Sequence, residues 1–318
     1  MVRRVGPLVG RILAFAVTLA TTLVCPLAAQ DSVPPPAPQN PSPMVEHTRA
    51  HERIEPRELP GVHRTFDGPL GKPVDVFVPD RTRHPDALHL VIYFHGSPFI
   101  PDYAVSQLKG DYIVAVVSLA PGSGVYDRTF SDPAVYDSLL ARVAREAGAA
   151  VGTSNAPAAF RTITLVGFSA GHGAIRAILR DSSHFAHVDA VLLLDGLHTG
   201  YLPGGTVLAA GGKLDAKPLE PFVQFARAAM RGEKRFLITH SEIFPGTFAS
   251  TTETTDYLVE LLGLHRKPVL RWGPHGMQQL SEARAGRLLI LGFAGNSAPD
   301  HVDQLQGMPA FLRMLLAL

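Results

Sequence analysis

Between residues 162 and 179 the chain reads TITLVGFSAGHGAIRAIL: a β-branched apolar run, then Gly167-Phe168-Ser169-Ala170-Gly171, then a segment of helical spacing. A serine with glycine two positions to either side, set between a strand and a helix, marks a bend that holds its central residue in strained backbone geometry. Larger side chains at the flanking positions would collide across the bend, so glycine fits there. A hydroxyl raised on such a bend, with a helix N-terminus behind it to favour developing negative charge, is arranged for nucleophilic attack on a carbonyl carbon. That chemistry needs three further parts: a base for the hydroxyl proton, an acid to orient the base, and donors for the oxyanion.

The elements around this bend alternate. VDVFVPD (74–80), LHLVIYFHG (88–96), YIVAVVSLAP (112–121), TITLVGF (162–168), VDAVLLLDG (188–196), KRFLITHSE (234–242) and RLLILGFAG (287–295) read as strands. Helical spacing occupies 133–148 with Asp132 as N-cap, a segment from about Gly171, 218–232, 251–263 with Gly263 as its stop, and 301–318. Near-continuous apolar strands separated by helices predict an α/β fold with a mostly parallel, doubly wound sheet covered on both faces. Ligands of such sheets bind at the carboxyl ends of the strands, so polar residues there are the ones to examine.

With its serine bend in that setting, the chain over roughly residues 60–318 resembles the α/β-hydrolase superfamily. The resemblance implies an eight-stranded, mostly parallel sheet, a nucleophile–acid–histidine triad, and hydrolysis of ester or amide bonds without a cofactor. Among fourteen histidines, His301 follows the last strand through the loop NSAPD, where the superfamily's catalytic histidine sits; His275, in WGPHGM, is second choice. Two acids compete. Asp195 ends the strand after the serine helix, whereas Glu242 follows the next strand, nearer the superfamily's commonest acid position, although the residue best aligned with that aspartate is Phe244. Asp195 is preferred. The sequence His95-Gly96-Ser97-Pro98 is similar to the superfamily's H-G-x-P, which implies oxyanion donors at the backbone of Ser97 and Ala170, with Gly96 in the same turn. His95, His172 and Tyr201 are expected to line the substrate pocket, and His198 and His240 also fall near strand ends. No histidine pair has the spacing of a zinc-binding helix, so no metal site is expected.

Composition limits the remaining possibilities. The chain has 318 residues, 46% of them hydrophobic and 18% charged, which suits one large core. Residues 1–29 hold Arg3, Arg4 and Arg11, the apolar run 12–24 and small residues before Gln30, so they read as a cleaved export signal. The rest carries 26 basic against 28 acidic residues with no basic stripe, which argues against a nucleic-acid partner. The lone Cys25 lies inside the leader, and the bulky Val24 before it disfavours lipidation. The exported chain would therefore hold no disulfide and no cysteine zinc site. Residues 30–60 are proline-rich at their start and read as a linker to a catalytic domain over 61–318. The glycine-rich stretch 197–219 is a possible lid. The expectation is a periplasmic or secreted serine hydrolase of the carboxylesterase kind, acting on a small ester or amide, with no membrane span once the leader is removed. A peptidase or amidase would use the same triad, and a catalytically silent binding protein could occupy the same scaffold.

Overall fold

The structure, a computed structural model, describes residues 50–152 and 156–318. Its main sheet has ten strands: β1 (Gly61–Asp67), β2 (Pro73–Pro79), β3 (Leu88–Phe94), β4 (Tyr112–Val117), β5 (Phe160–Phe168), β6 (Ala190–Leu194), β9 (Arg235–His240), β10 (Lys267–Trp272), β11 (Gln278–Ala285) and β12 (Leu288–Phe293). Two short strands, β7 (Tyr201–Leu202) and β8 (Lys213–Leu214), pair separately. The main order is β1-β2-β4-β3-β5-β6-β9-β12-β11-β10. The six strands from β4 to β12 in that order are parallel to one another, and both edges are antiparallel. The resemblance implied eight strands; β10 and β11 extend the sheet beyond β12. The largely exposed residues of β10 and the mixed, half-buried residues of β11 carry little strand signal.

The helices are α1 (Phe99–Ser106), α2 (Ser123–Phe130), α3 (Pro133–Val151), α4 (His172–Arg180), α5 (Ser182–His187), α6 (Glu220–Met230), α7 (Thr251–Leu261), α8 (Ala298–Gln306) and α9 (Met308–Leu316). Alternation along the parallel strands divides the core in two. Leu90, Ile92 and Phe94 of β3 join one cluster with α2, α3, α4, α6 and α7, while Val91 and Tyr93 face a second cluster with α1, α8 and α9. A strand buried on both faces has no polar side to show, which is why these runs are nearly all apolar. The terminal helix expected over 301–318 is two helices, because Gly307 ends α8 and Pro309 opens α9.

The expected leader and most of the linker lie outside the described residues. Its last part, however, is not a free tether. Arg53 and His51 pair with the buried Asp303 of α8, the Ile54 N–H donates to Gln306 Oε1 at 2.8 Å, and Ile54 and Leu59 pack on the second core cluster. The folded unit therefore begins before β1. No helix among the described residues is long and apolar enough to cross a membrane. Arg53→Met is expected to lower stability by about 1–3 kcal/mol, since it removes a bond to a buried carboxylate. An unchanged urea midpoint would show that this segment is not part of the cooperative unit.

Candidate active site

Five described residues other than glycine have a left-handed φ, and three of them end neighbouring strands: His95 (80°) after β3, Ser169 (48°) after β5 and Asp195 (44°) after β6. Each such residue costs on the order of 1–3 kcal/mol, so the strain is concentrated at the carboxyl ends of three adjacent strands. The bend at Ser169 is enforced by close approach. A Cβ on Gly171 would lie 2.2 Å from the Phe94 carbonyl oxygen, and one on Gly167 would be 3.1 Å from the backbone of both Gly171 and His172. Neither position admits a side chain without moving β3 or the bend.

His301 lies on α8, whose entry is fixed by a capping box between Ser297 and Asp300. Its Nδ1 meets Asp195 Oδ2 at 2.7 Å across 106 residues of sequence. Asp195 is 2% exposed and accepts three further bonds: from the Ser241 N–H at 3.0 Å, the Ser241 hydroxyl at 2.7 Å and the Thr251 hydroxyl at 2.5 Å. Burial by itself would raise its pKa. The bond and charge of His301, with Thr251 and Ser241, outweigh burial and hold the carboxyl well below the ordinary range, so it stays ionised. A carboxylate on Nδ1 keeps the proton there and leaves Nε2 as the basic nitrogen. The imidazole packs against Phe168, the residue before the serine, with ring centroids 4.6 Å apart. The backbone after Asp195 touches the bend as well, because a Cβ on Gly196 would be 2.8 Å from the Ser169 carbonyl oxygen. Asp195 and His301 are thus brought to the strand ends beside the bend that carries Ser169.

The other sequence-based choices are separated by this geometry. Glu242 is exposed, and its N–H and carboxylate both go to the backbone of Gly295, so it ties the ends of β9 and β12 and does not reach His301. His275 sits in the turn joining the edge strand β10 to β11. Tyr201, expected in the pocket, is buried, and its hydroxyl donates to Glu253 Oε2 at 2.7 Å; it anchors the β7–β8 hairpin instead. Within the stretch 197–219, Thr199 Oγ1 donates to the Asp215 carbonyl. The Gly96 N–H, expected in the oxyanion turn, donates to Ser118 Oγ at 3.3 Å. Ser97 is exposed, and the Tyr93 hydroxyl fixes its turn by donating to the His95 carbonyl at 2.6 Å. The Ala170 N–H lies in the first helical turn, where no carbonyl of the same helix can reach it. Sequence reading missed Ser241 and Thr251; the only trace was the density of hydroxyl residues in 250–255.

A cavity of about 570 Å³ opens beside the bend, lined by Ser169, Ala170, His95, His172, His198 and Phe248 among others. The His172 Nδ1–H donates to the Ser169 carbonyl at 2.9 Å, which braces the bend. Burial pushes this imidazole down to about 3, so it is neutral in ordinary buffer. His198 donates from Nδ1 to the Ala249 carbonyl at 3.0 Å and is likewise lowered, first by burial. His95 is lowered by burial and by the nearby His301. His240 lies away from the cavity lining; it is buried and neutral, and its Nε2 accepts from Arg266 at 2.8 Å.

No family model matches the chain, and no curated protein matches it. Solved structures similar to it include a feruloyl esterase module from Clostridium thermocellum complexed with sinapinate (13% identity, 80% of this chain and 89% of that one, TM-score 0.45). Esterase 2 of Thermogutta terrifontis has 13% identity over 83% of this chain and 97% of its own, with a TM-score of 0.46. An esterase from Pyrobaculum calidifontis has 13% identity over 80% and 83%, with a TM-score of 0.42. Likenesses this distant say nothing about substrate, and the fold rests on the chain's own topology. Six parallel strands wrapped by helices on both faces, a left-handed serine after β5, and a histidine delivered from beyond the last parallel strand are the features of an α/β-hydrolase fold.

Proposed function

We propose that this chain is an exported serine hydrolase that cleaves carboxylic esters through Ser169, His301 and Asp195. The observation that carries the reading is the 2.7 Å contact between His301 Nδ1 and the buried Asp195 carboxylate, with the His301 ring packed on Phe168, the residue before the strained Ser169. In the proposed mechanism His301 Nε2 takes the proton of the Ser169 hydroxyl as Oγ attacks the ester carbonyl. The tetrahedral oxyanion is received by the Ala170 N–H, with the Ser97 N–H as second donor. His301 then returns the proton to the departing alcohol, leaving an acyl-enzyme. Water, deprotonated by the same nitrogen, attacks the acyl carbon and releases the acid. Asp195 remains charged throughout; its task is to hold the ring and stabilise the imidazolium. Esters are the first substrates to try, because an alcohol leaves with less assistance than an amine. Export is supported by the arginines and apolar run of residues 1–29.

Ser169→Ala should lower kcat by on the order of 10⁴–10⁶ without loss of folding, and should abolish labelling by a fluorophosphonate. Asp195→Asn should cost on the order of 10⁴ in kcat, as it removes the acceptor that sets the ring tautomer, whereas Glu242→Gln should stay within about twofold. A well-folded wild type that resists the probe and turns over no p-nitrophenyl ester would leave only the silent binding protein.

The bonds to Asp195 also predict a pH dependence. Its folded pKa is depressed, so its stabilising contribution is whole above the unfolded carboxylate value of about 3.9 and drains away as pH falls toward the folded value. Thr251→Val removes one donor and should lower stability at pH 7 by about 1.5–3 kcal/mol. In urea titrations at decreasing pH, the gap between wild type and variant should narrow in acid, below about pH 4. Thr251→Ser should restore most of it. A gap independent of pH would mean that the hydroxyl acts only through packing.

A further inference from the structure

The cavity beside Ser169 holds a charge that the mechanism above does not use. Arg176 lies on α4 seven residues after Ser169 and four after His172, so the two α4 side chains are one turn apart on the same face, and both line the cavity. The Arg176 side chain is 12% exposed and, among the described residues, bonds through its Nε alone, donating to Asp127 Oδ2. Asp127 is already bonded at both oxygens by Arg180, from Nη1 and Nη2 at 2.9 Å each. Two guanidinium groups share one carboxylate, which leaves one positive charge in excess and the Nη donors of Arg176 uncommitted.

Nothing else in the cavity answers that charge. No aspartate or glutamate lines it, and its three histidines, His95, His172 and His198, are all held toward the neutral form, chiefly by burial. The N-terminus of α2, at Ser123, adds uncapped backbone donors to the same wall. A largely buried guanidinium with free donors in a polar, acid-free cleft is matched by a planar anion, which it can hold with two parallel bonds. Along α4, at about 1.5 Å per residue, Arg176 stands on the order of 10 Å from Ser169, and its side chain leans back toward the bend. A linker of a few methylenes spans that distance.

Resting on the serine hydrolase reading, we infer that this cavity selects esters bearing a carboxylate, bound by Arg176 Nη1 and Nη2 while the scissile carbonyl lies at Ser169. The test uses the full chain and two substrate series. One series pairs mono-p-nitrophenyl esters of dicarboxylic acids of increasing length with p-nitrophenyl alkanoates of matching length. The other pairs acetate esters of carboxyphenols with those of the corresponding methyl carboxylates. Wild type should prefer the carboxylate member by tenfold or more in kcat/KM in at least one series. In Arg176→Gln, whose Asp127 remains bonded to Arg180, that preference should fall by about 10–100-fold, with part returned by Arg176→Lys. Salt should weaken the wild-type preference. The inference is overturned if the neutral partner is cleaved as well as the carboxylate in both series, or if the preference survives in a folded Arg176→Gln. If no ester in either series is cleaved and a neutral fluorophosphonate leaves Ser169 unlabelled, the hydrolase reading itself falls, a failure separate from loss of selectivity.

Discussion

A carboxylate sealed from water must be surrounded by donors, and the Asp195 side chain imposes that demand on three other parts of the chain. It closes β6, takes the backbone and hydroxyl of Ser241 after β9, the hydroxyl of Thr251 at the first turn of α7, and the ring of His301 on α8. Any of these segments could shift as a loop on its own. Together they converge on two oxygen atoms, and a displacement of one would leave a buried charge short of a bond. The position of His301 is therefore set less by its own helix than by the carboxylate it faces.

The sheet supplies the rigidity on which this depends. His95, Ser169 and Asp195 each sit in a backbone conformation that side chains disfavour, and each follows a strand whose register is fixed on both sides. The Phe94 carbonyl leaves no room for a side chain at Gly171, so β3 and the bend must be built together. The strain is tolerated because the strands beneath are wholly buried in two apolar clusters, and relaxing the bend would unpack them. Braced by the His172 bond to its carbonyl, Ser169 has little freedom to fall back into an ordinary turn.

Around this frame the electrostatics are sparse. Three cavity histidines are kept toward the uncharged form, one carboxylate is kept charged by its donors, and one guanidinium is left in excess. Low dielectric magnifies each of these.

Local chemistry made much of this legible before any coordinates. The seven apolar runs correspond to β2, β3, β4, β5, β6, β9 and β12, because a strand covered on both faces has to be apolar along its whole length. The bend at GFSAG and the loop before His301 are also features of short sequence windows. The edge strand β10 and its neighbour β11 were not legible, as their polar and half-buried residues carry no such pattern, nor was the packing of residues 51–59 on α8 and α9. Whether Asp195 or Glu242 meets His301, that Tyr201 turns to Glu253 and Gly96 to Ser118, and that Arg176 meets Asp127 through its Nε are outcomes of contacts between residues tens to a hundred positions apart. Residue type and neighbour spacing determined the strands and the reactive bend. Which acid, which donors and which free charge surround that bend was decided only when the strand ends were brought side by side, because a hydrogen bond depends on position in space and not on distance along the chain.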